Sequence, residues 1–175
     1  EIAAKAFSSC SALTEITLPA RLSTFTTDIF TSCSKLARIH IEAGSTTLSS
    51  IDGVVCDKDK TTILYCPVGR EGDYTIPAGI VTIGEKAFYQ CTKLTSLNIP
   101  GYVSTVGKDA FNGCTNLASL TFDTGAFTEQ TVGDSAFYGC TRLRTLTFAE
   151  GSNVTEVGTR AFYNCQALGA LTIPA

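Results

Sequence analysis

Long apolar runs are missing from this chain: hydrophobic stretches in its 175 residues last only a few positions, so none is long enough to cross a bilayer as a helix. Basic charge is also short. Thirteen Lys and Arg stand against 16 Asp and Glu, for a net charge of −3 and a pI of about 5.1. Without a basic stripe the chain lacks the electrostatic footprint of a nucleic-acid or anionic-membrane binder. Histidine occurs once, at His40. Cys-x-x-Cys spacing does not occur among the eight cysteines, and no His or carboxylate keeps a fixed offset from them. Zinc-ribbon and dithiol redox motifs are thereby excluded on ligand spacing. No signal peptide is recognisable, because the chain opens on Glu1-Ile2-Ala3 already inside a repeat; it therefore reads as a fragment or processed form of a longer protein.

What the chain does have is one phrase repeated. Ala110-Phe111-Asn112-Gly113-Cys114 is followed by Leu117, Leu120 and Phe122, and the same frame returns at Phe7, Phe30, Phe88, Phe137 and Phe162. Counted from Phe, it carries Ala at −1, Cys at +3, Leu at +6, Leu or Ile at +9 and a large apolar residue at +11. Phe7 to Phe30 and Phe88 to Phe111 span 23 residues, Phe111 to Phe137 spans 26, and Phe137 to Phe162 spans 25. A fixed apolar frame at that period is the signature of a leucine-rich-repeat solenoid. The fold class expected is an α/β repeat solenoid, a right-handed coil with a parallel β-sheet on its concave face. The whole of 1–175 forms one domain of six regular repeats and an irregular one at about 51–77.

Within each repeat, +9 and +11 alternate with polar residues, as one face of a strand does. Glu15-Ile16-Thr17-Leu18 is such a strand, and Pro19, with no N–H for a ladder, ends it. The Ala-Phe-x-x-Cys-x-x-Leu segment has helical spacing but little length, which predicts a short α or 3₁₀ turn on the convex side. Val103-Ser104-Thr105-Val106-Gly107 shows the second half of the motif, its two valines filling space behind the strand. Its Gly either takes a backbone angle costly for other residues or permits a close approach. Repeats five and six carry three and two extra residues, at Asp123 to Gln130 and Ala149 to Asn153, which places insertions in loops along one edge. Six cysteines at +3 read as small buried hydrophobes with free thiols. Stacked at the strand spacing, their parallel Cβ atoms stand about 5 Å apart where a disulfide needs roughly 3.8 Å.

From Ile51 to Pro77 the frame breaks. Val54-Val55-Cys56 and Ile63-Leu64-Tyr65-Cys66 flank Asp57-Lys58-Asp59-Lys60-Thr61, a hairpin with a polar tip that replaces the Phe turn of one repeat. Whether Leu64 to Cys66 joins the main sheet is open at this point. The two tip aspartates lack the Gly and the later Glu of a calcium loop, so the tip reads as a solvated turn.

Stacked parallel strands place one residue from each repeat in a column on the open face of the sheet. The +10 column holds Thr17, His40, Asn98, Thr121, Thr147 and Thr172; the +8 column holds Glu15, Arg38, Ser96, Ser119, Thr145 and Ala170. These columns, Ala170 aside, are the candidate ligand-binding residues, a flat polar platform in which Arg38, His40 and Asn98 have the richest hydrogen-bonding options. The bland reading is a solvated pleat, for which Thr is well suited. A Cys–His nucleophile pair would need a cysteine beside His40. Cys33 lies on the outer turn and His40 on the inner strand, so no catalytic, cofactor or metal site is expected. The Phe column is core, and Tyr89, Tyr138 and Tyr163, one position later, are expected half-exposed on the convex side.

The unit A-F-x-x-C-x-x-L-x-x-L-x-I-P-x-x-V-x-x-I-G closely resembles the BspA-like, or Treponema pallidum-type, bacterial leucine-rich repeats. Residues 86–122 carry it best, through Lys86-Ala87-Phe88-Tyr89-Gln90-Cys91, Leu94, Leu97, Ile99-Pro100, Val103, Val106-Gly107, Ala110-Phe111 and Cys114. The interruption from Asp52-Gly53-Val54-Val55 through Pro67 to Tyr74-Thr75-Ile76-Pro77 resembles a variant of the same family. The resemblance implies an extracellular or cell-surface protein without catalysis or cofactor, adhering to a host protein, matrix component or other microbe through the concave sheet. A glycan is a further possible ligand; nucleic acid and direct membrane insertion are not implied. The alternatives are a passive spacer in a surface protein and an intracellular protein–protein scaffold.

Overall fold

The computed structural model describes residues 1–125 and 129–172. In chain order its strands are β1 (Glu15–Leu18), β2 (Arg38–Ile41), β3 (Leu48–Ile51), β4 (Val54–Asp57) and β5 (Thr62–Tyr65). They continue with β6 (Gly72–Thr75), β7 (Thr82–Ile83), β8 (Leu94–Ile99), β9 (Thr105–Val106), β10 (Ser119–Phe122), β11 (Gln130–Val132), β12 (Thr145–Phe148) and β13 (Val154–Val157). The +9/+11 segments form the expected parallel front sheet, in two pieces: β1 with β2, and β6, β8, β10 and β12 in that order. Leu120 and Phe122 of β10 are buried while Ser119 and Thr121 between them point out.

The Val-x-x-Val-Gly segments do more than fill space. Val103 and Val106 are buried, and the short strand that holds Val106 belongs to a second sheet, ordered β13-β11-β9-β7-β5-β4-β3. Once the front strands are stacked, the next segment of each coil is stacked at the same spacing, and its backbone groups need partners that the neighbouring coil supplies. The glycine question resolves in favour of close approach. A Cβ on Gly107 would stand 2.8 Å from the carbonyl carbon of Gly84, and Gly84, Gly133 and Gly158 meet the preceding coil in the same way.

The outer side corrects the expectation of α or 3₁₀ turns, for no helix occurs among the described residues. Around Phe111 the N–H groups of Ala110, Asn112 and Cys114 close turns onto Gly107, Asp109 and Phe111, while those of Asp109, Phe111 and Gly113 donate to Asp134, Ala136 and Tyr138 of the next coil. Alternate amides are thus committed between coils, and a helix, which needs all of them within one segment, cannot form. Left-handed residues at −2 and +2, here Asp109 (φ 55°) and Gly113 (φ 78°), turn the chain at each switch. The same two positions are left-handed at Lys86 and Gln90, Ser135 and Gly139, and Arg160 and Asn164.

Inside, the phenylalanines stack: Phe88–Phe111, Phe111–Phe137 and Phe137–Phe162 have ring centroids 4.7, 5.0 and 5.2 Å apart and nearly parallel planes. Beside them the +3 thiols form a ladder. Four donate to the backbone carbonyl of the preceding coil's Phe, Cys33 to Phe7 (2.9 Å), Cys114 to Phe88 (3.2 Å), Cys140 to Phe111 (3.4 Å) and Cys165 to Phe137 (3.3 Å), while Cys10, in the first coil, is exposed rather than buried as expected. Cysteine fits this position because it is small, apolar and still a weak donor.

The irregular third coil contains the expected hairpin, β4 antiparallel to β5, and adds β3 antiparallel to β4. Thr62–Tyr65 joins the second sheet beside β7, not the front sheet. The tip is built on Asp57, whose carboxylate accepts from Thr61 N–H (2.8 Å), Thr62 N–H (3.0 Å) and the Thr61 hydroxyl (2.7 Å). Burial pushes this carboxyl up, but those donors outweigh it and hold it below its ordinary range. The hairpin does not replace the outer turn; it precedes it. Cys66 takes the place of Phe, donating its N–H to Ala87 and accepting from the Cys91 thiol, while Gly69 and Gly72 fall where Cys and Leu stand elsewhere. The third coil therefore keeps its turn but is slim. The core divides here: Val55 and Tyr65 pack with Phe30 and Leu36, Val54 and Cys56 with Phe88 and Phe111.

In repeat five, Gln130 pairs with Val154, is buried, and donates from Nε2 to the Val103 carbonyl (2.8 Å). Residues 126–128 of that insertion, and Ile173 of the last repeat, lie outside the described residues.

Candidate functional site

Parallel pairing without slip puts the predicted columns together on the front sheet. Ser96, Ser119 and Thr145 are aligned partners, and so are Asn98, Thr121 and Thr147. Thr75 of β6 extends the second column beside Asn98, a member the broken repeat frame had hidden. All are exposed or half-buried, with the apolar residues between them turned inward. The face is tied together at its edges: Asn98 Nδ2 donates to Asp123 (2.5 Å) and the Thr95 hydroxyl to Asp73 (2.7 Å). Hydrogen bonds from Ser96 and Thr95 hold the Asp73 carboxyl below its ordinary range.

Glu15 with Arg38 and Thr17 with His40 form a second, separate pair of columns on β1 and β2. The platform is therefore not continuous. Beside β2 the next layer is Gly53, whose carbonyl accepts from Ile39 N–H at 2.9 Å, and a Cβ there would fall 2.8 Å from the Arg38 Cα. Thr172 is exposed and belongs to no strand. His40 is exposed and Cys33 buried against Phe7, on separate sides of the coil. Among the described residues no group of three or more His, Cys, Asp or Glu is placed to hold a metal.

At the break in the platform is a cavity of about 560 Å³, lined by Thr14, Lys35, Ala37, Arg38, Asp52, Gly69, Arg70, Glu71 and Lys93. Four cations meet two carboxylates there, in a chain whose net charge is negative. Arg70 pairs with the Asp52 carboxylate and donates to its carbonyl (2.8 Å), and Lys93 pairs with Glu71 (2.6 Å). Those partners lower both carboxyl pKa values. The sequence carries two traces of this cavity, since Lys35 and Lys93 share the +5 phase and Arg38 stands in the +8 column; Asp52, Gly69, Arg70 and Glu71 come from the irregular coil.

Six coils of one frame, a thiol ladder and a stacked Phe column make a recurring unit that known families can share. The profile of the BspA type leucine-rich repeat region matches residues 1–53 and 72–175, in six copies. The chain belongs to the BspA-type leucine-rich-repeat family. Among solved structures, this BspA-type array resembles a leucine-rich cell surface protein of Faecalibacterium prausnitzii, at 29% identity and a TM-score of 0.61 over 90% of the chain and 47% of that protein. The pneumococcal vaccine antigen PcpA (23% identity, TM-score 0.65, 94% of this chain and 45% of that one) shares the fold. So does the Treponema pallidum leucine-rich repeat protein (23%, 0.54, 95% and 70%). The chain spans about half the length of the first two. No curated protein matches it. No helix among the described residues is long and apolar enough to cross a membrane.

Proposed function

We propose that this chain is a non-catalytic binding module of a cell-surface or secreted protein, adhering to a host or microbial protein through the open face of its front sheet. The observation that carries this reading is the pair of aligned columns, Ser96-Ser119-Thr145 and Asn98-Thr121-Thr147, set side by side on a parallel sheet and exposed or half-buried. Such a face offers hydroxyls and an amide at fixed spacing, held by strands whose inner side is core, which limits the ordering cost of binding. Support for a surface location comes from the Faecalibacterium relative, described as a cell surface protein.

The test is an array of immobilised extracellular-matrix proteins and glycans probed with the chain. The expected result is a signal above that of an unrelated repeat protein, lost with Thr121→Arg, which places a long cation mid-platform without touching the core. Arg38→Ala with His40→Ala should weaken binding if the ligand also reaches β1 and β2. Signal no higher than the control would instead favour a passive spacer.

A further inference from the structure

The slim third coil leaves a groove between the second and fourth coils. At its outer end is a cavity of about 270 Å³ walled by Phe30, Thr31 and Ser32 on one side and Lys86, Tyr89 and Gln90 on the other, with Tyr65 and Val68 in its floor. A second cavity, about 480 Å³, shares Ser32, Val68 and Gln90 with the first and continues to Lys93. Lys93 also lines the basic cavity at the platform break. One channel therefore runs from an aromatic end to a cationic end.

Its walls carry unused backbone groups. At the Phe position of other coils the N–H donates to the next coil: Phe7 to Ile29, Phe88 to Ala110, Phe111 to Ala136 and Phe137 to Ala161. The N–H groups of Phe30 and Ser32 have no partner among the described residues, and neither has the Tyr89 carbonyl opposite. Phe30 is fully buried, which puts its amide out of reach from the groove, whereas Ser32 and Tyr89 are exposed and their unpaired groups face it. The walls belong to coils two layers apart, about 9.6 Å at the strand spacing; the third coil between them spends its Cys66 and Gly69 amides on Ala87 and Leu36, which leaves the Ser32 amide and the Tyr89 carbonyl unpaired on either side of Val68. At the far end Asp52 and Glu71 are paired with Arg70 and Lys93, while Lys35 and Arg38 form no salt bridge among the described residues.

We propose that this groove is a docking site for an extended peptide segment of a partner protein. Its backbone would pair with the Ser32 amide and the Tyr89 carbonyl, an aromatic side chain would sit against the exposed Tyr89 ring, and a carboxylate several residues away would meet Lys35, Arg38 and Lys93. The mode is strand addition, with side-chain pockets setting specificity. The site is distinct from the front-sheet face, and each stands if the other fails. Arg38 borders both and is left out of the test.

The test is selection of a random linear peptide library displayed on phage against the folded chain. Enriched peptides should combine an aromatic residue with a carboxylate several positions apart. A synthetic copy of one should bind about tenfold or more weakly to Tyr89→Ala and to Lys35→Glu with Lys93→Glu. It should bind unchanged to Thr121→Arg, and should slow hydrogen exchange at the Ser32 amide. These positions are at the surface, and far-UV circular dichroism verifies that each variant folds. Absence of enrichment, or peptides indifferent to the Tyr89 and lysine variants, would overturn the proposal. So would self-association of the chain that those variants abolish, which would assign the groove to a second copy.

Discussion

The thiol of Cys114 is fully buried in the ladder, at a position that suits a small apolar side chain with a weak donor. Serine would bring a stronger dipole into an apolar column, and alanine would leave a gap. The sulfur donates to a carbonyl that already accepts from the Cys91 N–H. Burial raises the Cys114 pKa and pushes Cys56 up to about 12 from an ordinary 9.0; contact with Cys66 together with burial raises Cys91. The folded values lie above the unfolded one, so the unfolded chain loses these protons first. The stabilisation is complete below pH 9 and falls as pH rises from there, by about 1.4 kcal/mol per pH unit for each such thiol. Denaturant titrations near pH 8 and about pH 10.5 should show a lower midpoint at the higher pH, and Cys114→Ala should show a smaller drop between the two. Equal drops would remove this thiol from the account.

At the scale of the element, the outer turn depends on two left-handed residues in five of the six regular coils, the second having Ser32 alone. Gly139→Ala isolates that dependence, because the added methyl has no atom within 4 Å and the cost comes from φ 71° alone. The expected loss is about 1 kcal/mol, measured by thermal or urea unfolding, and Ser135→Gly at the partner position should recover stability of the same order. No loss on Gly139→Ala would mean that the turn relaxes to another path. These turns also mark where sequence reading runs out. Spacings of three and four look helical in one repeat, and only the neighbouring coil reveals that Phe111 and Gly113 spend their amides across the stack. The front strands were legible because alternation is local and strict, and with them the columns at Ser96, Asn98, Ser119 and Thr121. The second sheet was not, since Thr82–Ile83 and Thr105–Val106 are two residues long and become strands only by being stacked. The basic cavity escaped for a similar reason: Asp52 and Arg70 meet across a hairpin whose strands were legible but whose place in the stack was not.

Across the whole molecule, the stacked array has a middle and an end. Phe111 is fully buried with a ring on either side, whereas Phe7 is half-buried and stacks on Phe30 alone at 5.6 Å. Phe111→Ala should cost about 3–5 kcal/mol and Phe7→Ala less than half of that, read from denaturant midpoints. Because the core divides at the third coil, the Phe111 change should also speed hydrogen exchange from Ile80 onward more than around Phe30 and Leu36. Uniform acceleration would make the chain one cooperative unit.

The third coil has an evolutionary consequence. Wherever coils are joined by parallel strands in the same phase, a whole coil can be duplicated or excised and the edges left behind still match, so an array of this kind lengthens or shortens without redesign. The antiparallel run from Leu48 to Tyr65 has no such self-matching edges, for its two faces belong to different cores. Repeat number is therefore expected to drift on either side of this coil while the coil itself is inherited intact, and the groove beside it with it.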